Sequence, residues 1–219
     1  MSKRLLLASM PLLFMLAWLV GGPGNEVDVA IMGRMAELRA SLPGSTAFAA
    51  LATTLGGAAL LLPVAALAAL LLLVRRQPAL ALTLTLTVLG ERLLVDGLKA
   101  LLGRSRPTGG ELLVESMAFP SGHAANSMTV YLAIAIFAAP EAHRRLAMIA
   151  AVLLSLLIGL TRIFLGVHWP SDVIGGWALG LIAVGLASSI ARRSGALPVE
   201  PKHEVVGRHG DAARDEETP

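Results

Sequence analysis

Long apolar stretches separated by short polar turns dominate the chain. Apolar runs occupy Leu5–Val20, Ala47–Val74, Ala79–Leu102, Pro120–Ala139, Leu146–Leu165 and Ser171–Ile190, each close to the roughly 20 residues that a helix needs to cross a bilayer. The pattern predicts an all-α, polytopic membrane protein with six transmembrane helices. The alternation Leu82-Thr83-Leu84-Thr85-Leu86-Thr87 has a strand period, but an unpaired strand inside hydrocarbon leaves its backbone unsatisfied, so a helix is expected there. Met1–Val20 has the charged start and apolar core of a signal peptide, whereas Gly21-Gly22-Pro23-Gly24 offers no A-x-A-like cleavage site. An uncleaved first span is therefore expected.

Two segments fall outside the spans. Val27, Ile31, Met35, Leu38 and Leu42 recur at helical spacing, with Glu26, Asp28, Glu37 and Arg39 on other faces, and Pro43-Gly44 closes the segment. This predicts a short helix lying on the membrane interface, which either admits a lipid or covers the bundle. From Ser194 to Pro219 the chain becomes polar, Gly- and Pro-containing and charged, a composition that cannot bury enough apolar surface to order itself. The expected organisation is one membrane domain over residues 1–193 followed by a disordered cytoplasmic tail, 194–219.

Composition agrees: of 219 residues 55% are hydrophobic and 15% charged, and the mean hydropathy is +0.72, outside the range of soluble domains. A net charge of +3 does not imply a nucleic-acid partner, because the basic residues occur as scattered pairs rather than on one soluble face. Lys3/Arg4, Arg75/Arg76, Arg144/Arg145 and Arg192/Arg193 share one side if every run crosses. The positive-inside bias then puts both termini in the cytoplasm, although Arg34, Arg39, Arg104 and Arg106 would lie outside. The chain has no cysteine, which excludes disulfides and thiolate metal sites.

Three polar clusters stand at the outer ends of the runs. Lys99 and Arg106 lie two helical turns apart, and Pro107 disfavours helix at Arg106, so both cations can reach the outer mouth of the bundle. Alone, this pair reads equally well as interfacial snorkelling. Pro120-Ser121-Gly122-His123 opens the fourth run, with Pro120 suited to the first helical position. Free amides at a helix start favour an anion, Gly122 lets it approach, Ser121 can donate, and His123 can protonate a leaving oxygen. Alternatively it is a proline helix start beside a satisfied histidine.

The third cluster comprises Thr161-Arg162 and His168-Trp169-Pro170-Ser171-Asp172. With Pro170 starting the sixth span, Asp172 falls in its first turn and can hold one ring nitrogen of His168, freeing the other for attack. Arg162 supplies a bidentate fork for phosphate oxygens. His123, His168 and Asp172 can also be read as metal ligands, but hard phosphatase metals usually take more carboxylates. Three cations, Lys99, Arg106 and Arg162, balance a phosphate of about −1.5 to −2 charge, so neither a metal nor another cofactor is expected.

In order, spacing and separation the three clusters resemble the signature motifs of the type-2 phosphatidic acid phosphatase superfamily, over residues 99–172 by motif and about 1–193 by layout. The resemblance implies a metal-independent lipid phosphatase with a phosphohistidine intermediate. His168 would be the nucleophile, Asp172 its orienter and His123 the general acid; Lys99, Arg106, Ser121, Gly122 and Arg162 would hold the phosphate. Thr161 stands where the motif more often has serine, and keeps the hydroxyl. Soluble relatives bind vanadate in the same cup, but six spans argue against that branch.

In span three, Arg92, Asp96 and Lys99 lie at i, i+4 and i+7, so Asp96 can set the position of Lys99 or form part of a packing ion ladder. The expected substrate is a lipid phosphate or diphosphate in the outer leaflet of a bacterial inner membrane. Undecaprenyl diphosphate is narrowly preferred over phosphatidylglycerophosphate or phosphatidic acid. A lipid transporter using Glu91, Arg92 and Asp96 as a pathway is the alternative from another class; it leaves the Pro-Ser-Gly-His cluster unexplained. A binding-only relative is disfavoured because every candidate catalytic side chain is present. Nothing in the chain indicates its oligomeric state.

Overall fold

The computed structural model describes residues 24–197, which form seven helices and no strand. They are α1 (Glu26–Ser41), α2 (Ser45–Thr54), α3 (Ala58–Val74), α4 (Pro78–Leu102), α5 (Gly122–Phe137), α6 (Glu141–Phe164) and α7 (Pro170–Arg193). Four helical stretches are long and apolar enough to cross a membrane: Ser45–Val74, Pro78–Leu102, Glu141–Phe164 and Pro170–Arg193. The expected first span lies outside the described residues, as does the tail beyond Leu197. Order continues past the predicted domain end at 193, because Leu197 is buried in the core and its amide reaches the Ala191 carbonyl.

The fourth predicted run is shorter than expected. Helix α5 has 16 residues, about 24 Å of rise, and starts at Gly122 with Ser121 as its N-cap. Pro120 is thus one residue before the cap and not the first helical residue. Seven consecutive α5 residues, Ala124 to Val130, are buried, as expected of a helix enclosed on every side. It packs on α3, α4, α6 and α7. Close approach to α7 depends on Gly176 and Gly180, where an added Cβ would lie 2.6 Å from the Ser121 carbonyl and 2.8 Å from Met128 Cβ. This is the small-residue spacing that lets membrane helices touch through their backbones.

The Leu-Thr alternation is helical, in the middle of α4. Thr83 and Thr87 donate their hydroxyls to the carbonyls of Ala79 and Thr83, four residues earlier, at 2.8 and 2.6 Å, so these polar groups are satisfied without a partner strand. The second run, continuous by hydropathy, breaks between α2 and α3 at Leu55-Gly56-Gly57. At Gly56 a Cβ would stand 2.5 Å from Ile158 and 3.3 Å from the His123 ring. The break lets the chain pass close beside that histidine.

Alternating helix directions give the bundle two chemically different ends. Arg75 closes α3, Arg144 is in the first turn of α6, and Arg192 and Arg193 end α7. The end of α4, the starts of α5 and α7 and the end of α6 lie opposite, with the rim segment 103–121.

Candidate active site

All three sequence clusters meet at this second end. Helix α7 begins with Pro170 at its first position, as expected, and places Asp172 at the third. The Asp172 carboxylate accepts from the Trp169 amide at 2.8 Å and faces Nδ1 of His168 at 3.4 Å. On the other side of the ring, Arg106 Nη1 lies 3.0 Å from Nε2. A guanidinium only donates, so Nε2 is the acceptor and Nδ1 carries the proton toward Asp172. The ring therefore presents its lone pair toward the rim cations. Burial holds the His168 imidazole well below its ordinary pKa, with Arg106, Arg162 and Lys99 adding to the effect and a backbone hydrogen bond at Ala118 opposing it. Both the desolvation and the cations favour the neutral ring.

Rim cations are engaged by the backbone of one short segment. Lys99 Nζ donates to the Met117 carbonyl. Arg106 donates through Nε to the Ser116 carbonyl at 2.6 Å, through Nη2 to Ser116 Oγ and the Met117 carbonyl at 3.0 and 3.3 Å, and through Nη1 to the Val167 carbonyl at 2.5 Å. Buried Arg162 reaches Thr53 Oγ1 of α2 at 3.1 Å, and its Nε has no partner among the described residues. The buried hydroxyl of Ser121 also has none, although the Ser121 amide is tied to the Asp172 carbonyl at 3.0 Å. Buried donors without protein partners are rare and call for an explanation. Around Gly122 there is room: only Val95, at 3.8 Å, falls within 4 Å of a Cβ placed there.

His123, second residue of α5, is within charge-interaction range of Arg162, His168, Arg106 and Lys99. Thr161 turns its hydroxyl to the Ile158 carbonyl of its own helix at 2.6 Å. Asp96 lies 3.9 Å from Arg92 in a largely exposed pair, while the Lys99 ammonium points to Met117. Asp96 influences Lys99 only through its charge.

Two charged residues that matter here were missed from the sequence. The sequence places Arg104 only on the outer side of the membrane and Asp28 on a polar helix face; in the structure they are 3% and 2% exposed. Arg104 Nη1 meets Asp172 Oδ1 at 2.5 Å and Ser171 Oγ at 2.8 Å, and its Nη2 meets Asp28 Oδ2 at 2.9 Å. Asp28 also accepts from the amide and hydroxyl of Ser171 at 3.0 and 2.6 Å. The inward face of α1 thus reads Asp28, Ile31, Met32, Met35, with the three apolar residues on the core cluster of Ala124, Ile163 and Val173. Val27, Leu38 and Leu42 of the predicted stripe are exposed. The i, i+3, i+4, i+7 spacing of the inward set was the available signal.

An apolar cavity of about 440 Å³ opens between α1, α2 and α6, lined by Met35, Phe48, Leu160, Ile163 and Phe164 among others. Arg39 braces the neighbouring rim through the Phe164 carbonyl and through Glu111 at 3.2 Å.

The sequence signature of the PAP2 superfamily matches residues 79–196, a stretch that contains all three clusters. The chain belongs to the PAP2 superfamily. As a PAP2 protein it is a hydrolase of phosphoric esters, and its apolar spans make it an integral membrane protein. Phosphatidylglycerophosphatase B of Bacillus subtilis (strain 168) is 35% identical over 136 residues, covering 59% of this chain and 67% of that protein. An undecaprenyl-diphosphatase of Sulfolobus acidocaldarius is 42% identical over 62 residues, 28% of each chain. The crystal structure of a transmembrane PAP2-type phosphatidylglycerolphosphate phosphatase from Bacillus subtilis superposes with a TM-score of 0.78 at 29% identity, covering 86% of this chain and 96% of that one.

Proposed function

We propose that this PAP2 protein removes phosphate from a lipid phosphate in the outer leaflet through a phosphohistidine on His168. One observation carries the reading. Lys99, Arg106, Arg162, His123 and His168 share one charge network, and beside it two buried donors, Ser121 Oγ and Arg162 Nε, lack partners among the described residues.

In the proposed reaction Nε2 of His168 attacks phosphorus in line, and the bond from phosphorus to the lipid oxygen breaks. His123 gives that oxygen its proton, while Asp172 holds Nδ1–H and steadies the ring as it becomes cationic. Water, losing a proton to His123, then cleaves the P–N bond and releases inorganic phosphate. Lys99, Arg106, Arg162, Ser121 and the first amides of α5 stabilise the charge on the equatorial oxygens. The apolar cavity between α1, α2 and α6 takes the lipid chain.

Phosphatidylglycerophosphate is the substrate favoured here. The similarity to phosphatidylglycerophosphatase B extends over 67% of that protein, whereas that to undecaprenyl-diphosphatase extends over 28%. Six spans, cytoplasmic termini and an outward-facing site in a bacterial inner membrane complete the proposal. The basic pairs at the end opposite the cluster support this orientation.

Purified protein, supplied with phosphatidylglycerophosphate, phosphatidic acid and undecaprenyl diphosphate in the presence of excess chelator, tests the chemistry. Wild type is expected to release phosphate, fastest from phosphatidylglycerophosphate, and to trap an acid-labile, alkali-stable phosphoenzyme. His168→Ala is expected to do neither; equal turnover by both proteins would overturn the nucleophile. Because the chain has no cysteine, Leu113→Cys at the exposed rim gives a clean orientation probe. Labelling by an impermeant maleimide in intact spheroplasts is expected, and labelling only after lysis would reverse the orientation.

A further inference from the structure

We propose that Asp28 and Arg104 are positioning residues for the His168–Asp172 pair, forming a buried relay that joins α1 to the reacting imidazole. This rests on the reading of His168 as nucleophile and extends it to two residues that the three clusters did not name.

The geometry is that of a bracket. Arg104 uses one nitrogen for Asp172 and Ser171 and the other for Asp28, and Asp28 closes the loop by accepting from the Ser171 amide and hydroxyl. Arg104 also lies over the Trp169 ring, 5.7 Å from its centroid, whose indole donates to the Ser105 carbonyl at 3.0 Å. Asp172 is completely buried. Its Oδ1 is held by Arg104, and its Oδ2 by the Trp169 amide at 2.8 Å and the His168 ring at 3.4 Å. A carboxylate so fixed keeps Oδ2 turned toward His168 while Arg104 holds Oδ1.

Charge gives the relay a second role. A guanidinium at 2.5 Å neutralises much of the Asp172 field before it reaches the ring, and Asp28 in turn neutralises part of the guanidinium. The other groups acting on His168 are Lys99 from α4, Arg106 from the rim, His123 from α5 and Arg162 from α6. The relay contributes one cation and one anion to this otherwise mostly cationic set. Removing either one shifts the imidazole in a direction fixed by its sign. Loss of the cation raises the ring's proton affinity, and loss of the anion lowers it.

Three variants of the full-length protein separate position from charge, using kcat, KM and the acid limb of kcat/KM with a lipid phosphate in detergent micelles. Arg104→Lys keeps the charge but not the fork. It is expected to lower kcat roughly 10- to 100-fold with KM within about twofold and the acid limb in place. Arg104→Gln is expected to move the acid limb up by about one pH unit, and the isosteric Asp28→Asn to move it down. A purely structural bracket would move both in the same direction or neither. Equal shifts, no shifts, or wild-type kcat in Arg104→Lys would overturn the relay. If Arg104→Gln does not fold, the Asp28→Asn profile decides alone, a downward shift supporting the relay and an unmoved limb overturning it. His168→Ala, assayed alongside, keeps the nucleophile question separate: an inactive His168→Ala with unmoved relay variants rejects only the relay.

Discussion

The two ends of the bundle use the same residue type in opposite ways. At one end Arg76, Arg145 and Arg193 are exposed and Arg192 half-buried. At the other, Arg104 and Arg162 are each 3% exposed and Arg106 is fastened by four oxygen acceptors and a ring nitrogen. An exposed guanidinium on a long stem keeps its water and contributes little beyond its charge. A buried one must be matched donor by donor, or it destabilises the fold. Burial therefore separates the exposed basic pairs of one end from the arginines that build the polar cluster at the other.

Substitutions at each end test this distinction. The largest effect is expected for Arg162→Gln, which removes a buried fork from the proposed phosphate site: kcat/KM for a lipid phosphate is expected to fall roughly 10²- to 10³-fold. A loss below tenfold, measured by phosphate release, would return Arg162 to a packing role. Next comes Lys99→Ala, expected to cost roughly 10- to 100-fold, mainly in kcat, because a point charge without a fork positions less than a guanidinium does.

Proton affinity supplies a third test. Because His168 is held well below its ordinary range, the free protein keeps this ring neutral as the pH falls through 6.5, the ordinary histidine value. The acid limb of kcat/KM is expected below that value, and a limb at or above it would show a ring far more hydrated than the buried site allows. The smallest effect belongs to the other end. Replacing Arg76, Arg145 and Arg193 together by Gln in the Leu113→Cys background is expected to leave kcat/KM within about twofold, while lowering the fraction of correctly oriented chains in a maleimide-labelling assay.

The three clusters could be read from the sequence because each places chemistry-bearing residues at the boundary of an apolar run, where hydrocarbon makes them costly. The α4 helix was legible for a related reason, since an unpaired strand could not satisfy its backbone inside the membrane. Burial of polar residues far apart in the sequence was not legible. Asp28 and Arg104 are 76 residues apart, and each alone has the pattern of an interfacial charge. The α2/α3 break was hidden by uniform hydropathy, although Gly56-Gly57 marked it. The expected α5 run exceeds the helix because it counts Pro120 and Ser121 before the first helical residue and Ala138 and Ala139 after the last.

Ser116 and Met117 turn their carbonyls onto Lys99 and Arg106. An oxyanion arriving at those cations exchanges one set of oxygens for another instead of stripping water from bare guanidinium and ammonium groups, so much of the usual dehydration cost on entry cancels. On departure the same carbonyls stand ready to take the donors back.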